Sequence, residues 1–231
     1  EDGADLADLV RSVGRLDGLE RLRVFSIEPG DVTERFVEAV ATTHTVAHHL
    51  HIPLQSGDDG VLRTMGRSYT MDEYRRAVHW AREAVPDVNI TTDVIIGFPT
   101  EDEAAFERTH AVCEELAFGK IHVFPFSPRP GTVAAGLGDM VAPDAKADRS
   151  RRLRDLSDRL GFRRRASRVG DHDAVLVEKR LDDGTLTGYG GDYCRFVLEA
   201  VDTDSAMGPG DLVPVHVAGM VGEHLKGVPV R

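Results

Sequence analysis

Short apolar runs alternate with amphipathic segments along the first part of the chain. Four runs rich in β-branched and aromatic residues predict strands, at residues 22–27, 49–54, 90–96 and 121–126. Apolar positions spaced three or four apart predict helices around them, at residues 6–13, 33–41, 71–84 and 101–117. Alternation of this kind is typical of βα units built on a parallel sheet.

Three of these helices follow a polar residue with a glutamate three positions later. The pairs are Asp31 with Glu34, Thr70 with Glu73, and Thr100 with Glu103. This spacing lets the two side chains satisfy each other's backbone N–H groups, so each pair predicts a capping box at a helix start.

After residue 168 the apolar runs shorten, and turns rich in Gly and Asp separate them. Strands are predicted at residues 174–178, 185–188, 193–198 and 212–217. Short strands at this spacing are typical of a small antiparallel β-barrel. We therefore divide the chain into a βα portion (1–142), a connecting helix (143–167) and a β-barrel (168–231).

Composition limits the classes of protein to which this chain can correspond. Its 231 residues are 41% hydrophobic, which is enough for a core, and no run of 18 apolar residues or secretory signal appears. The only cysteines, Cys113 and Cys194, cannot form a disulfide framework or a zinc site. We expect a cytoplasmic protein with no membrane contact. Because the chain starts at Glu1 and its first methionine is Met65, we also expect it to be a piece of a longer protein.

The net charge of −11 is unevenly distributed. Residues 1–148 carry 14 basic and 26 acidic groups, whereas residues 149–231 carry 14 and 13. Within residues 149–168, nine arginines accompany only two aspartates. Taken alone, such a run favours a solvated helix face, but the uneven distribution of charge keeps contact with RNA or another polyanion open.

Polar side chains follow several of the predicted strands, at the end where parallel sheets bind ligands. Glu28, Gln55 and Asp93 offer acceptors for hydroxyl or ammonium groups, and Arg67 can bind a carboxylate through two hydrogen bonds. This set suits an amino acid joined to a ribose. Each residue also has an ordinary explanation, as a turn former, a backbone partner or a surface charge.

Other polar side chains support weaker predictions. The histidines His44, His48, His49 and His51 invite a metal interpretation, but we favour structural or pocket-lining roles and expect no metal site. In the barrel, Tyr193 and Arg195 alternate away from Cys194, a face that can stack a base and bind a phosphate. The predicted RNA-binding residues are Arg163, Arg164, Arg165, Arg168, Tyr193 and Arg195.

The order of these motifs resembles the radical S-adenosylmethionine (SAM) methylthiotransferases. The matching segments are RVFSIEP (23–29), HLHIPLQSG (49–57), MGR (65–67), TTDVIIGFPTE (91–101) and HVFPFSPRPGT (122–132). The first and last are most similar to the MtaB branch, which modifies N6-threonylcarbamoyladenosine at position 37 of tRNA, beside the anticodon. The segment GYGGDY (188–193) is similar to the TRAM domain, an RNA-binding β-barrel.

The resemblance implies the last four βα units of a partial TIM-like radical SAM barrel followed by a TRAM barrel. It places SAM at Glu28, Gln55, Arg67 and Asp93, and it implies two 4Fe-4S clusters in the intact protein. No CxxxCxxC motif occurs in this chain. Since iron–sulfur clusters require thiolate ligands, we expect the chain alone to hold neither cluster and to be inactive.

The predicted function is methylthio transfer to C2 of N6-threonylcarbamoyladenosine in tRNA, with the anticodon arm as partner and no obligate protein partner. Two alternatives remain: a RimO-like enzyme that modifies an aspartate of a ribosomal protein, and a non-catalytic RNA-binding module.

Overall fold

The computed structural model describes residues 3–138, 140–198 and 207–230. The chain divides into two compact units between Leu160 and Gly161, inside the long helix that the sequence predicts. None of the helices in the described part has both the length and the apolar character needed to cross a bilayer.

The first unit contains a four-stranded parallel sheet in sequential order, as the alternation of patterns predicts. Its strands are β1 (Leu22–Val24), β2 (Val46–His51), β3 (Asn89–Ile96) and β4 (Lys120–Pro125). In register, Leu50 of β2 lies beside Ile90 of β3, and Asp93 of β3 lies beside His122 of β4. The carboxyl ends of the four strands therefore meet along one edge.

Seven helices accompany the strands in the described residues. They are α1 (Leu6–Val13), α2 (Glu34–Thr42), α3 (Asp59–Thr64), α4 (Met71–Ala84), α5 (Glu103–Leu116), α6 (Val133–Gly136) and α7 (Pro143–Ser167), with a 3₁₀ turn at Pro29–Asp31. The predicted bounds of α1 and α4 agree with the structure. The short helices α3 and α6 were not predicted because four to six residues carry too little periodicity.

Only one of the three predicted capping boxes forms. Thr70 and Glu73 each accept from the other's backbone N–H at the start of α4. The predictions for Asp31 and Thr100 were wrong, because a polar residue nearer the first turn takes the cap instead: Thr33 for α2 and Asp102 for α5. Several adjacent residues can cap a helix, and the chain direction at the turn decides among them.

Side-chain alternation gives the sheet two different faces. On one face, Leu50 of β2 and Ile90 and Val94 of β3 pack in a core with side chains of the helices. On the other face, several positions carry imidazole, hydroxyl and carboxylate groups. These are His49, His51, Thr91, Asp93 and, from β4, His122. A parallel sheet is normally apolar on both faces, so this polar face is where function is to be sought.

The second unit contains a closed five-stranded barrel in the order β5-β6-β7-β9-β8. Its strands are β5 (His172–Arg180), β6 (Leu186–Tyr189), β7 (Arg195–Leu198), β8 (Leu212–Val221) and β9 (His224–Pro229). The expected antiparallel pairing is wrong for one pair, since β7 and β9 are parallel. Strand β9 escaped prediction because Gly227 and Pro229 weaken its strand pattern. Close packing requires Gly227, where a Cβ atom would lie 2.8 Å from Leu198.

Candidate functional site

Two non-glycine residues adopt left-handed backbone conformations where β1 and β2 end. Ser26 has φ 56° and Gln55 has φ 62°. For residues with a side chain this conformation costs about 1–2 kcal/mol each, so the surrounding structure must enforce it. At Gln55 the sheet does so: its N–H donates to the carbonyl of Asp93 at 2.8 Å, and its carbonyl accepts from Ile95 at 2.9 Å. The predicted residues Gln55 and Asp93 are thereby fixed side by side through their backbones.

Glu28 and Arg67 form a second pair at the same edge. Arg67 Nη1 lies 3.4 Å from Glu28 Oε1, and the two side chains are 31% and 54% exposed. Beside them, the Tyr69 hydroxyl contacts the carbonyls of Pro53 and Leu54 at 3.2 and 3.0 Å. Burial raises the pKa of Tyr69, which the Arg67 charge opposes and the Glu28 charge reinforces, so the phenol stays a neutral donor. The tyrosine thus holds the β2 turn beside the ion pair.

Asp93 lies among histidines on the polar face of the sheet. His51 Nε2 is 3.3 Å from Asp93 Oδ2, and His51 Nδ1 is 2.9 Å from Thr91 Oγ1. The same hydroxyl is 2.9 Å from Nε2 of His49. The ring of His122 stands edge-on to His51 at 5.9 Å. Partial desolvation lowers the pKa of His122 against the opposing charge of Asp93, which favours the neutral imidazole.

Sequence reasoning therefore located Asp93 but missed its two imidazole neighbours, His51 and His122. The alternation of polar and apolar positions along the strands could have indicated both histidines. In each of β2, β3 and β4, a polar side chain lies between neighbours that point into the core. The structure joins the four predicted rim residues as two pairs, Glu28 with Arg67 and Gln55 with Asp93. Their roles in ligand binding stay predictions.

A buried ion pair organises the loop that follows β3. Glu101, whose side chain is fully buried, accepts from the N–H of Gly97 at 2.9 Å and from Arg149 Nη1 at 2.8 Å. Burial raises the pKa of Glu101, although both of these donors favour the charged form. Gly97 itself has φ 75°, and an added Cβ would lie 2.5 Å from the Lys146 side chain. Helix α7 thus holds the loop at the carboxyl end of β3.

The two cysteines do not supply a metal-cluster site. Cys113 and Cys194 are both buried and lie in different units. Burial raises the pKa of Cys113, and raises that of Cys194 to about 12, so both stay thiols. An iron–sulfur cluster needs three or four thiolates, and this chain's residues do not fit one.

The basic helix is more extensively paired than its charge suggested. In the first unit, Arg149 and Arg152 bind Glu103, and Arg152 also binds Glu107. Arg159 lies 3.8 Å from Glu114. These contacts agree with the ordinary interpretation of a charged helix face, so much of the local positive charge is neutralised.

In the second unit, two of the predicted RNA-binding arginines are committed to a buried carboxylate. Arg164 Nη2 lies 3.0 Å from Asp192 Oδ2, and Arg168 binds the same oxygen as well as Asp173. Burial alone would raise the pKa of Asp192, but the two guanidinium groups outweigh it and leave that pKa lowered. These contacts stabilise the barrel, and they give Arg164 and Arg168 a structural role.

Three other predicted residues are exposed on the second unit: Arg163, Tyr193 and Arg195. Tyr193 has φ 65° and stacks on Tyr189 with ring centroids 4.7 Å apart and planes 19° apart. Arg165 is half-buried. This aromatic pair, with the exposed Arg195 opposite Tyr189 in the strand register, has the chemistry to stack a base and bind phosphate.

Comparisons with known proteins agree with this architecture. Residues 1–113 match the Radical SAM superfamily. Two relatives named tRNA-2-methylthio-N(6)-dimethylallyladenosine synthase are 41% identical (Thermobifida fusca) and 37% identical (Mycobacterium marinum) over 229 residues. These alignments cover 97% of this chain but 46% and 43% of the relatives. The chain therefore spans less than half the length of these two relatives.

One solved structure shares the fold. The Escherichia coli coproporphyrinogen III oxidase HemN, described as a radical SAM enzyme, matches with a TM-score of 0.53 over 76% of this chain and 45% of its own. The sequence identity is 14%, so the likeness concerns the fold alone.

Proposed function

We propose that this chain, a homologue of tRNA methylthiotransferases with a Radical SAM superfamily segment at residues 1–113, takes part in methylthio transfer to an adenosine of tRNA. The observation that carries the proposal is the 41% identity to a tRNA methylthio-adenosine synthase across 97% of the chain, including the polar edge of the sheet and the barrel.

The edge of the sheet where the strands end is proposed to bind SAM. Its side chains fit that molecule: Glu28, Gln55 and Asp93 supply acceptors for ribose hydroxyls and an ammonium group, and Arg67 supplies a guanidinium for a carboxylate. In the family, bound SAM supplies a carbon-centred radical. This chain's residues would bind and orient the nucleoside and amino-acid ends, and the left-handed turn at Gln55 would preorganise them.

Two N6-substituted adenosines are candidate substrates. The segments at 23–29 and 122–132 favour N6-threonylcarbamoyladenosine at position 37, as in the MtaB branch. The printed names of the relatives favour the dimethylallyl derivative. The first substituent ends in a carboxylate and the second is apolar, so an enzyme for one should discriminate strongly against the other. We propose the threonylcarbamoyl substrate.

Mass spectrometry of tRNA nucleosides tests this function. Deletion of the gene encoding this chain should abolish the methylthio derivative of N6-threonylcarbamoyladenosine, and reintroduction of the gene should restore it. Loss of the dimethylallyl nucleoside instead would overturn the choice of base. Intact tRNA nucleosides together with loss of methylthiolation on a ribosomal protein aspartate would overturn the tRNA proposal and favour the RimO-like alternative.

We propose that exposed residues of the second unit bind the anticodon arm of tRNA. We expect replacement of Arg163, Tyr193 and Arg195 by Ala to weaken binding of an anticodon stem-loop and to flatten its dependence on salt, because phosphate contacts release counterions. The matched control is Arg63→Ala, which removes an exposed guanidinium from α3. Equal affinity of the triple variant and this control across a salt series would contradict the assignment.

A further inference from the structure

Three side chains from consecutive strands meet on the polar face of the sheet. The ligand atoms of His51, Asp93 and His122 all lie within 4.8 Å of one another. We propose that these residues form a binding site for a divalent transition-metal ion of the Zn²⁺ class, with further coordination positions open to water or a ligand. The proposal rests on this chain's own side chains; it shares Asp93 with the SAM site proposed above but does not depend on that assignment.

The register of the strands produces this convergence. His51 pairs with Thr91 across β2 and β3, and Asp93 pairs with His122 across β3 and β4. Since strands lie about 4.8 Å apart and alternate residues share a face, the three side chains rise from one patch of the sheet. The sequence separates them by 42 and 29 positions, so no local motif such as a paired-histidine helix reveals the set.

The best-defined distance matches an edge of a coordination sphere. His51 Nε2 and Asp93 Oδ2 are 3.3 Å apart. Two ligands bound tetrahedrally at about 2.0–2.1 Å from zinc are separated by about 3.3–3.4 Å. His122 is exposed, and its ligand atom lies within 4.8 Å of those of His51 and Asp93. One imidazole and one carboxylate are thus already at ligand spacing, and the third ligand is within reach of the same ion.

Thr91 supplies the outer contact that metal-binding histidines characteristically have. When His51 Nδ1–H donates to Thr91 Oγ1, the lone pair on Nε2 faces the Asp93 carboxylate, an arrangement that a cation between them stabilises. Thr91 then donates its own proton to Nε2 of His49. Without an ion, the opposite tautomer of His51 donates Nε2–H to Asp93. The Thr91 hydroxyl can therefore accept a hydrogen bond from one tautomer of His51 and donate one to the other.

The donor set indicates the class of metal. Two imidazole nitrogens and one carboxylate oxygen suit Zn²⁺, Co²⁺, Ni²⁺ or Fe²⁺, whereas Mg²⁺ and Ca²⁺ prefer oxygen ligands. Three protein ligands leave a position open, as in catalytic rather than structural zinc sites. A carboxylate that binds the ion through Oδ2 alone leaves Oδ1 of Asp93 for the nucleoside contact proposed above.

Titration of the metal-free, untagged chain with Co²⁺ and Zn²⁺ tests the site. Co²⁺ is the spectroscopic probe, because its visible absorption reports nitrogen and oxygen ligands, and Zn²⁺ should displace it. We expect one equivalent per chain. His122→Ala should weaken binding at least 10-fold, and Thr91→Val about 10- to 100-fold, the usual effect of losing an outer-shell contact.

The control is His79→Ala, which removes an exposed histidine that lies 3.2 Å from Glu83 on α4. It should leave affinity unchanged. His122 is exposed, so its replacement should preserve the fold, and circular dichroism checks this. Binding well below one equivalent, or equal affinity in the wild type and the His122→Ala variant, would overturn the proposal. Neither outcome bears on tRNA modification, which the nucleoside measurements test separately.

Discussion

The buried pair of Glu101 and Arg149 gives the sharpest stability prediction. Arg149→Met keeps the approximate side-chain volume but removes the guanidinium that lies 2.8 Å from Glu101 Oε1. The side chains are 0% and 7% exposed, so solvent cannot replace the lost partner. Removing one partner of a buried ion pair lowers the free energy of unfolding by about 3–5 kcal/mol. We expect the free energy of unfolding of the first unit to fall by that amount.

The loss of stability in the Arg149→Met variant should depend on pH. Burial already raises the pKa of Glu101 in the folded protein, and removal of Arg149 should raise it further. A raised pKa means that the folded state binds a proton more readily than the unfolded state, so the penalty is largest above the folded pKa. The deficit of the variant should therefore be smaller near pH 5 than near pH 8.

Urea denaturation followed by tryptophan fluorescence measures this effect. Trp80, the only tryptophan, packs against the core of the first unit and so reports on that unit. Arg151→Met, at an exposed position of the same helix, is the control and should change stability by less than about 0.5 kcal/mol. The double variant with Glu101→Gln should recover part of the loss. A deficit below about 1 kcal/mol, or one that grows at acidic pH, would refute the reasoning.

The buried Asp192 carboxylate and the close backbone contact at Gly57 each support a further stability prediction. Asp192→Asn should destabilise the barrel by about 3 kcal/mol, because Arg168 and its neighbour Arg164 lose a buried partner. Folding lowers the pKa of Asp192, so the wild type keeps this stabilisation above the unfolded pKa and loses it as the pH falls through the folded pKa. Hydrogen exchange of barrel amides measures both the loss of stability and its pH dependence. A difference between the two proteins that does not change with pH would contradict the assignment. Gly57→Ala should lower the melting temperature, because its Cβ would lie 2.5 Å from the backbone of Thr109, whereas Gly30→Ala meets no atom within 4 Å and should not; equal melting temperatures would show that the contact relaxes freely.

The candidate site shows where sequence reasoning stops. Glu28 and Gln55 were found because they follow predicted strands, and Asp93 because it lies within one; parallel sheets bind ligands at the carboxyl ends of their strands. His51 was predicted to be structural or pocket-lining because it lies between apolar residues with no Cys or Asp nearby in sequence, and His122 was not singled out. Only the register of three strands brings them within reach of Asp93.

The arginines of α7 have contacts that the net charge of the helix does not predict. A charge count treats these arginines as equivalent, since every guanidinium carries the same charge. Packing separates them: Arg149 is buried against Glu101, Arg164 and Arg168 are held by Asp192, and Arg163 is exposed. The surface proposed for RNA is thus smaller than the charge pattern suggested, and it depends on which partner each side chain meets.

The amino-acid sequence by itself determined the four βα units, the parallel sheet, the barrel and the resemblance to methylthiotransferases. These follow from periodicity and motif order, which are local or ordered along the chain. The tertiary structure alone decided which residue caps α2 and α5, the parallel pairing of β7 with β9, the buried ion pairs, and the convergence of His51, Asp93 and His122. Each of these depends on chain direction, strand register or distance between residues far apart in sequence, and none of those quantities is written in a local pattern.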